Sequence, residues 1–114
     1  MSLKEGLSMK EVGAHVDYYN LKTEDGTWLG EVILTSTGVF ASVTDWGNFS
    51  YAWRLGSETI QEFMLRIAPD YLATKMATGV AYSLGTSKKI DAACGRFAEK
   101  ILPALQAAIK AAKA

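Results

Sequence analysis

This chain reads as an α+β domain: a four-stranded antiparallel β-meander followed by two or three helices packed on one face. Residues 14–55 alternate apolar and polar with period two and are cut by turn residues, whereas from Gly56-Ser57 onward apolar residues recur with a period near 3.6. Strands precede helices, with no internal repeat and no linker between them. One core and one domain over residues 9–114 follow from a length of 114 residues. Residues 1–8, ahead of a second methionine at Met9, are set aside as a disordered or appended extension.

The first strand is expected over residues 14–21 and the second over 27–35, joined by Thr23-Glu24-Asp25-Gly26, where Asp-Gly tolerates positive φ. A third over 38–46 follows Ser36-Thr37-Gly38. Gly47-Asn48 then reads as a type II′ turn into a fourth strand over 49–55, which presents Phe49, Tyr51 and Trp53 on one side. Beyond Gly56, residues Ile60, Phe63, Met64 and Ile67 mark one helical face, with Ser57 as N-cap and Glu58 at the positive end of the dipole. Ala68-Pro69 ends that helix, and Pro69 opens a second over 69–78 that buries Leu72 and Met76. Residues 79–85 read as a break or frayed extension. The last helix begins near Ser87 and carries the stripe Ile90, Cys94, Phe97, Ile101, Leu105, Ala108 and Ile109, with Pro103 expected to kink or split it.

Charge is balanced, with 12 basic and 12 acidic residues, which removes the generic electrostatic case for nucleic acid or a membrane surface. The halves differ: residues 10–70 hold nine acidic against four basic residues, whereas 88–113 hold six basic against Asp91 and Glu99. A single cysteine, Cys94, forms no internal disulfide and fits a reducing cytoplasm. No run of apolar residues is long enough to span a bilayer, and no membrane association is expected.

Candidate chemistry is sparse. His15 is the only histidine; with Asp17 on the same strand face it offers two ligands and no third, so no metal site, cofactor or catalytic residue is assigned and no enzyme is expected. Cys94 lies in the apolar stripe and reads as a small buried hydrophobe. Gly85-Thr86-Ser87-Lys88-Lys89 precedes a helix without P-loop spacing. Eight of the twelve aromatics fall in the strand region, more than one helix layer needs. Those on the remaining surface, with Trp46 at a hairpin tip, suggest a protein-binding site built from Trp46, Gly47, Asn48 and Trp28. The acidic setting of Asp17, Glu31 and Asp45 argues against phosphates there. Nucleic acid would use Lys88, Lys89, Arg96 and Lys100 of the last helix. The stripe Ile90, Cys94, Phe97, Ile101, Ala104 and Ala108 also suits a helix partner, hence a homodimer through that end.

The run Thr44-Asp45-Trp46-Gly47-Asn48-Phe49-Ser50-Tyr51-Ala52-Trp53, with Glu62-Phe63-Met64-Leu65-Arg66-Ile67 and Asp70-Tyr71-Leu72-Ala73-Thr74-Lys75-Met76, resembles small uncharacterised bacteriophage and prophage proteins. The resemblance covers residues 27–76 and not the basic, alanine-rich tail from Ser87. It implies an origin in a phage or integrated element and a place of action in the bacterial cytoplasm, and it carries over no catalytic residue. The combined expectation is a non-enzymatic accessory protein that binds a host or phage protein through the sheet hairpin. The alternative is a nucleic-acid-binding accessory protein.

Overall fold

The computed structural model describes residues 15–84 and 88–113. Strands β1 (Val16–Lys22), β2 (Trp28–Thr35), β3 (Val39–Thr44) and β4 (Gly47–Ala52) form one antiparallel sheet in the order β1-β2-β3-β4. Helices α1 (Ile60–Arg66), α2 (Pro69–Leu84) and α3 (Lys88–Lys113) follow. This is the meander-then-helices architecture that the change of period predicts. Residues 1–8, the expected start of the first strand at Ala14 and the expected loop Gly85-Thr86-Ser87 lie outside the described residues.

Val32 and Leu34 of β2, Phe40 of β3 and Phe49 of β4 turn inward and meet Cys94, Phe97, Ile101, Leu102, Leu105 and Ile109 of α3 in one buried cluster. Phe97 sits at its centre, edge-on to Phe40 at 6.2 Å and tilted against Phe49 at 4.6 Å. Such ring pairs add stabilisation beyond the area they bury. Trp53 continues the row outward over Phe63 of α1, with centroids 5.0 Å apart.

Four boundaries differ from expectation, each for a local reason. The β3–β4 turn is Asp45-Trp46, not Gly47-Asn48: Thr44 pairs with Gly47 and Val43 with Asn48, so both predicted turn residues belong to β4. Gly47 takes φ +135° there, and no residue other than glycine has positive φ among those described. Thr44 Oγ1 closes the turn, donating to the Gly47 carbonyl at 2.7 Å and accepting from Trp46 N at 3.2 Å. The N-cap of α1 is Thr59 rather than Ser57, in a capping box with Glu62. Glu58 instead forms a two-point pair with Arg66, at 2.7 and 3.0 Å, which holds its carboxyl below the usual range.

Helix α2 runs through Gly79 to Leu84 instead of ending near Thr78. Glycine is tolerated because of where it lies: a Cβ at Gly79 would stand 3.1 Å from the Ser50 carbonyl oxygen, so its absence lets α2 press against β4. Helix α3 is unsplit at Pro103, which is exposed on its solvent side. The carbonyl that Pro103 leaves without an amide partner belongs to Glu99, also exposed, where water can serve it. One helix end is served by a side chain from elsewhere: Gln106 of α3 donates to the carbonyls of Met64 and Ile67 at the end of α1, at 2.9 and 3.2 Å.

Candidate protein-binding surface

All three helices pack on the inner face of the sheet, so the other face has no layer over it among the described residues. Cross-strand register arranges that face in rows: Val16-Thr35, then Tyr18-Ile33-Ala41-Ser50, then Asn20-Glu31-Val43-Asn48, with Val39 beside Ala52. Tyr18 keeps 58 % of its surface exposed, Val16 56 %, Val43 50 % and Ile33 40 %, far above the values of the core side chains and high for β-branched and aromatic residues of a sheet. The apolar positions are concentrated on β1 to β3. Asn48 and Ser50 make the β4 end polar.

A bulge extends the surface at one end. Leu21 pairs with Gly30 and Lys22 with Trp28, leaving Leu29 as an extra residue in β2. Leu29 then packs against the core, and Trp28 is re-aimed to the open face, where its indole Nε1 donates to Asn20 Oδ1 at 3.1 Å. Next along, the Tyr18 hydroxyl donates to Glu31 at 3.0 Å, and this bond raises the tyrosine above its ordinary value of 10.0.

The predicted hairpin site is therefore divided between the two sides of the sheet. Trp28 and Asn48 lie on the open face. Trp46 packs against the core cluster and Gly47 faces the Phe49 ring, where a Cβ would stand 3.0 Å from Cζ. Phe49, Tyr51 and Trp53 line the inner side, as their packing role requires. Sequence reasoning missed Val16, Tyr18, Ile33, Val39 and Val43; the alternation Val16-x-Tyr18 and Ile33-x-Thr35 was the available signal.

The other candidates are placed as follows. Lys88, Lys89, Arg96 and Lys100 are all exposed on α3, with Asp91 and Glu99 exposed on the same helix. Of the stripe considered for a homodimer, Cys94, Phe97 and Ile101 are buried in the chain's own core, and Ile90, Ala104 and Ala108 pack against it. Burial pushes the Cys94 thiol up, with the nearby charge of Asp91 adding to the effect. His15 is exposed, with Nε2 3.1 Å from Asp17 Oδ1. Asp17 also accepts from Gln61 of α1, and Gln61 in turn bonds Tyr19, which burial raises above its usual value. This network borders a cleft of about 370 Å³ between β1, α1 and the end of α3, lined by Asp17, Tyr18, Tyr19, Gln61, Ile109 and Ala112. Among the described residues no three His, Cys, Asp or Glu side chains gather where they could hold a metal ion, and no helix is long and apolar enough to cross a membrane.

Fold and surface together define a small α+β domain whose sheet is backed on one face and open on the other. A family model described as a phage family matches residues 9–94, and the chain belongs to that phage family. The match is wider than the stretch that carries the resemblance: it takes in the whole sheet, α1, α2 and the start of α3, including Lys88 and Lys89. Neither the curated proteins nor the solved structures compared with the chain gave a match.

Proposed function

We propose that this member of a phage family is a non-enzymatic accessory protein, acting in the bacterial cytoplasm, that binds a host or phage protein through the open face of its sheet. The observation that supports the reading is the contiguous run of Val16, Tyr18, Ile33 and Val43, with Trp28 and Val39 at its margins, on a face that none of the described helices covers. Exposed apolar patches of this kind, rimmed by polar residues, mark protein interaction sites. Glu31 and Lys22 are the charges among the outward positions of β1 to β4, too few and too balanced to hold a polyanion.

A second reading, nucleic-acid binding by α3, is supported by Lys89, Arg96 and Lys100, whose spacings of seven and four residues align them on one exposed side of the helix. Asp91 and Glu99 dilute it. Affinity capture from phage-infected bacteria separates the two readings. Ile33→Lys with Val43→Lys should abolish capture of a specific protein while the fold is retained, and Lys89→Glu with Arg96→Glu should not. Retention that survives the sheet substitutions and falls steeply with salt, or with the α3 substitutions, would favour the second reading and overturn the first.

A further inference from the structure

The edge of the sheet next to this face is open, and its backbone groups can be assigned. The His15 carbonyl accepts from Ser36 N at 2.8 Å and Thr23 N donates to the Thr27 carbonyl at 2.8 Å, so the odd-numbered residues of β1 face β2. The amides and carbonyls of Val16, Tyr18 and Asn20 therefore point away from the sheet. No strand among the described residues pairs with them. At the opposite edge the corresponding Ser50 carbonyl has Gly79 of α2 closely against it. Native edges are commonly blunted by proline, bulges or charges on the strand; β1 has seven residues and no proline, its bulge and Lys22 lie at the far end beyond Asn20, and the one such feature beside Val16, Tyr18 and Asn20 is Asp17, whose side chain turns under the sheet.

Beneath β1 lies the cleft of about 370 Å³ described above. Asp17 is the only charged side chain among the described residues that line it, and Ile109 and Ala112 supply an apolar wall. The carboxylate takes bonds from His15 and Gln61. About four lone-pair sites on a carboxylate leave room for a further donor. A strand added along β1 would send alternate side chains to the two sides of the sheet. On the outer side they would meet Val16 and Tyr18; on the inner side, the Asp17 cleft.

We infer that β1 takes up an extended segment of a partner protein as a fifth strand, with a lysine or arginine of that segment entering the Asp17 cleft between apolar residues that lie on the outer face beside Val16 and Tyr18. Main-chain hydrogen bonds to Val16, Tyr18 and Asn20 supply affinity, and the carboxylate selects the charge. This inference rests on the protein-binding reading and names the chemistry of the partner.

The test uses the full chain and three end-capped fluorescent peptides: Val-Lys-Val-Lys-Val, Val-Glu-Val-Glu-Val, and the lysine peptide with its strand-pairing amides N-methylated. Anisotropy titration should show saturable binding of the lysine peptide with a Kd on the order of 0.1–1 mM, and binding of the other two weaker by about tenfold or more. Asp17→Asn should weaken the lysine peptide about tenfold, and Tyr18→Pro, which removes an outward amide proton while leaving the β2 ladder intact, should abolish it. If Tyr18→Pro does not fold, the N-methylated peptide makes the same test. No saturable binding, equal binding of the glutamate peptide, or indifference to Asp17→Asn and to N-methylation would overturn the proposal. So would self-association that protects the β1 amides from exchange without peptide, which would assign the edge to a second copy. These substitutions leave Ile33 and Val43 in place: a negative result with partner capture through those residues intact overturns the edge proposal alone, and loss of both overturns the protein-binding reading with it.

Discussion

Gly30 is enclosed by the neighbouring strand β3 and by Ile101 of α3. A Cβ there would lie 2.6 Å from Thr44 Cγ2, 2.8 Å from the Val43 carbonyl oxygen and 3.3 Å from Ile101 Cδ1, and the carbonyl cannot move without breaking the β2–β3 ladder. Gly30→Ala is expected to destabilise by about 1–3 kcal/mol in urea unfolding, the usual cost of overpacking. No turn or motif flags this glycine in the sequence; its role exists only once β2 is paired with β3, with Ile101 of α3 adding to the enclosure. Tyr18 offers a pH test. Its bond to Glu31, then desolvation and the glutamate charge, raise its folded value above the ordinary 10.0, so this contribution to stability is fully present below about pH 10 and is lost as pH rises through the higher folded value. Ultraviolet titration should place the Tyr18 midpoint above that of an unperturbed tyrosine, and Glu31→Gln should return it toward normal.

Among the elements, α1 is the shortest helix at seven residues, and its stability depends on caps and packing rather than propensity. Thr59→Ala removes the hydroxyl that accepts from Glu62 N at 3.0 Å and is expected to cost about 1 kcal/mol by thermal or denaturant unfolding. Phe63→Ala, which removes a buried ring wedged between Trp53 and Tyr71, is expected to cost roughly 3–5 kcal/mol by the same measurement. Periodicity made Ile60, Phe63, Met64, Leu72 and Met76 legible as core, and all five are buried. Boundaries were less legible because side-chain hydrogen bonds set them. Thr44 Oγ1 closes a turn at Asp45-Trp46 in place of a glycine-led one, Thr59 outcompetes Ser57 as cap because Glu62 stands three residues on, and Gly79 lies within α2 where the helix packs closely on the Ser50 carbonyl of β4.

At the scale of the molecule, alternation shows that a strand has two faces and is silent on which one the helices will cover. The aromatics of Phe49, Tyr51 and Trp53 drew attention to β4, where they turned out to hold the core, while the exposed patch was written in less conspicuous residues: Val16, Tyr18, Ile33 and Val43. Trp28, a candidate for partner binding, lies on the open face, yet its outward aim depends on the Leu29 bulge, which alternation alone would not supply. Placing a photo-crosslinking phenylalanine analogue at Ile33 or Val43, and in separate samples at Lys89 or Arg96, and irradiating phage-infected cells tests the binding surface directly. A discrete protein adduct is expected from the two sheet positions and none from α3. Adducts confined to Lys89 and Arg96, or nucleic acid as the main species captured at any position, would contradict it.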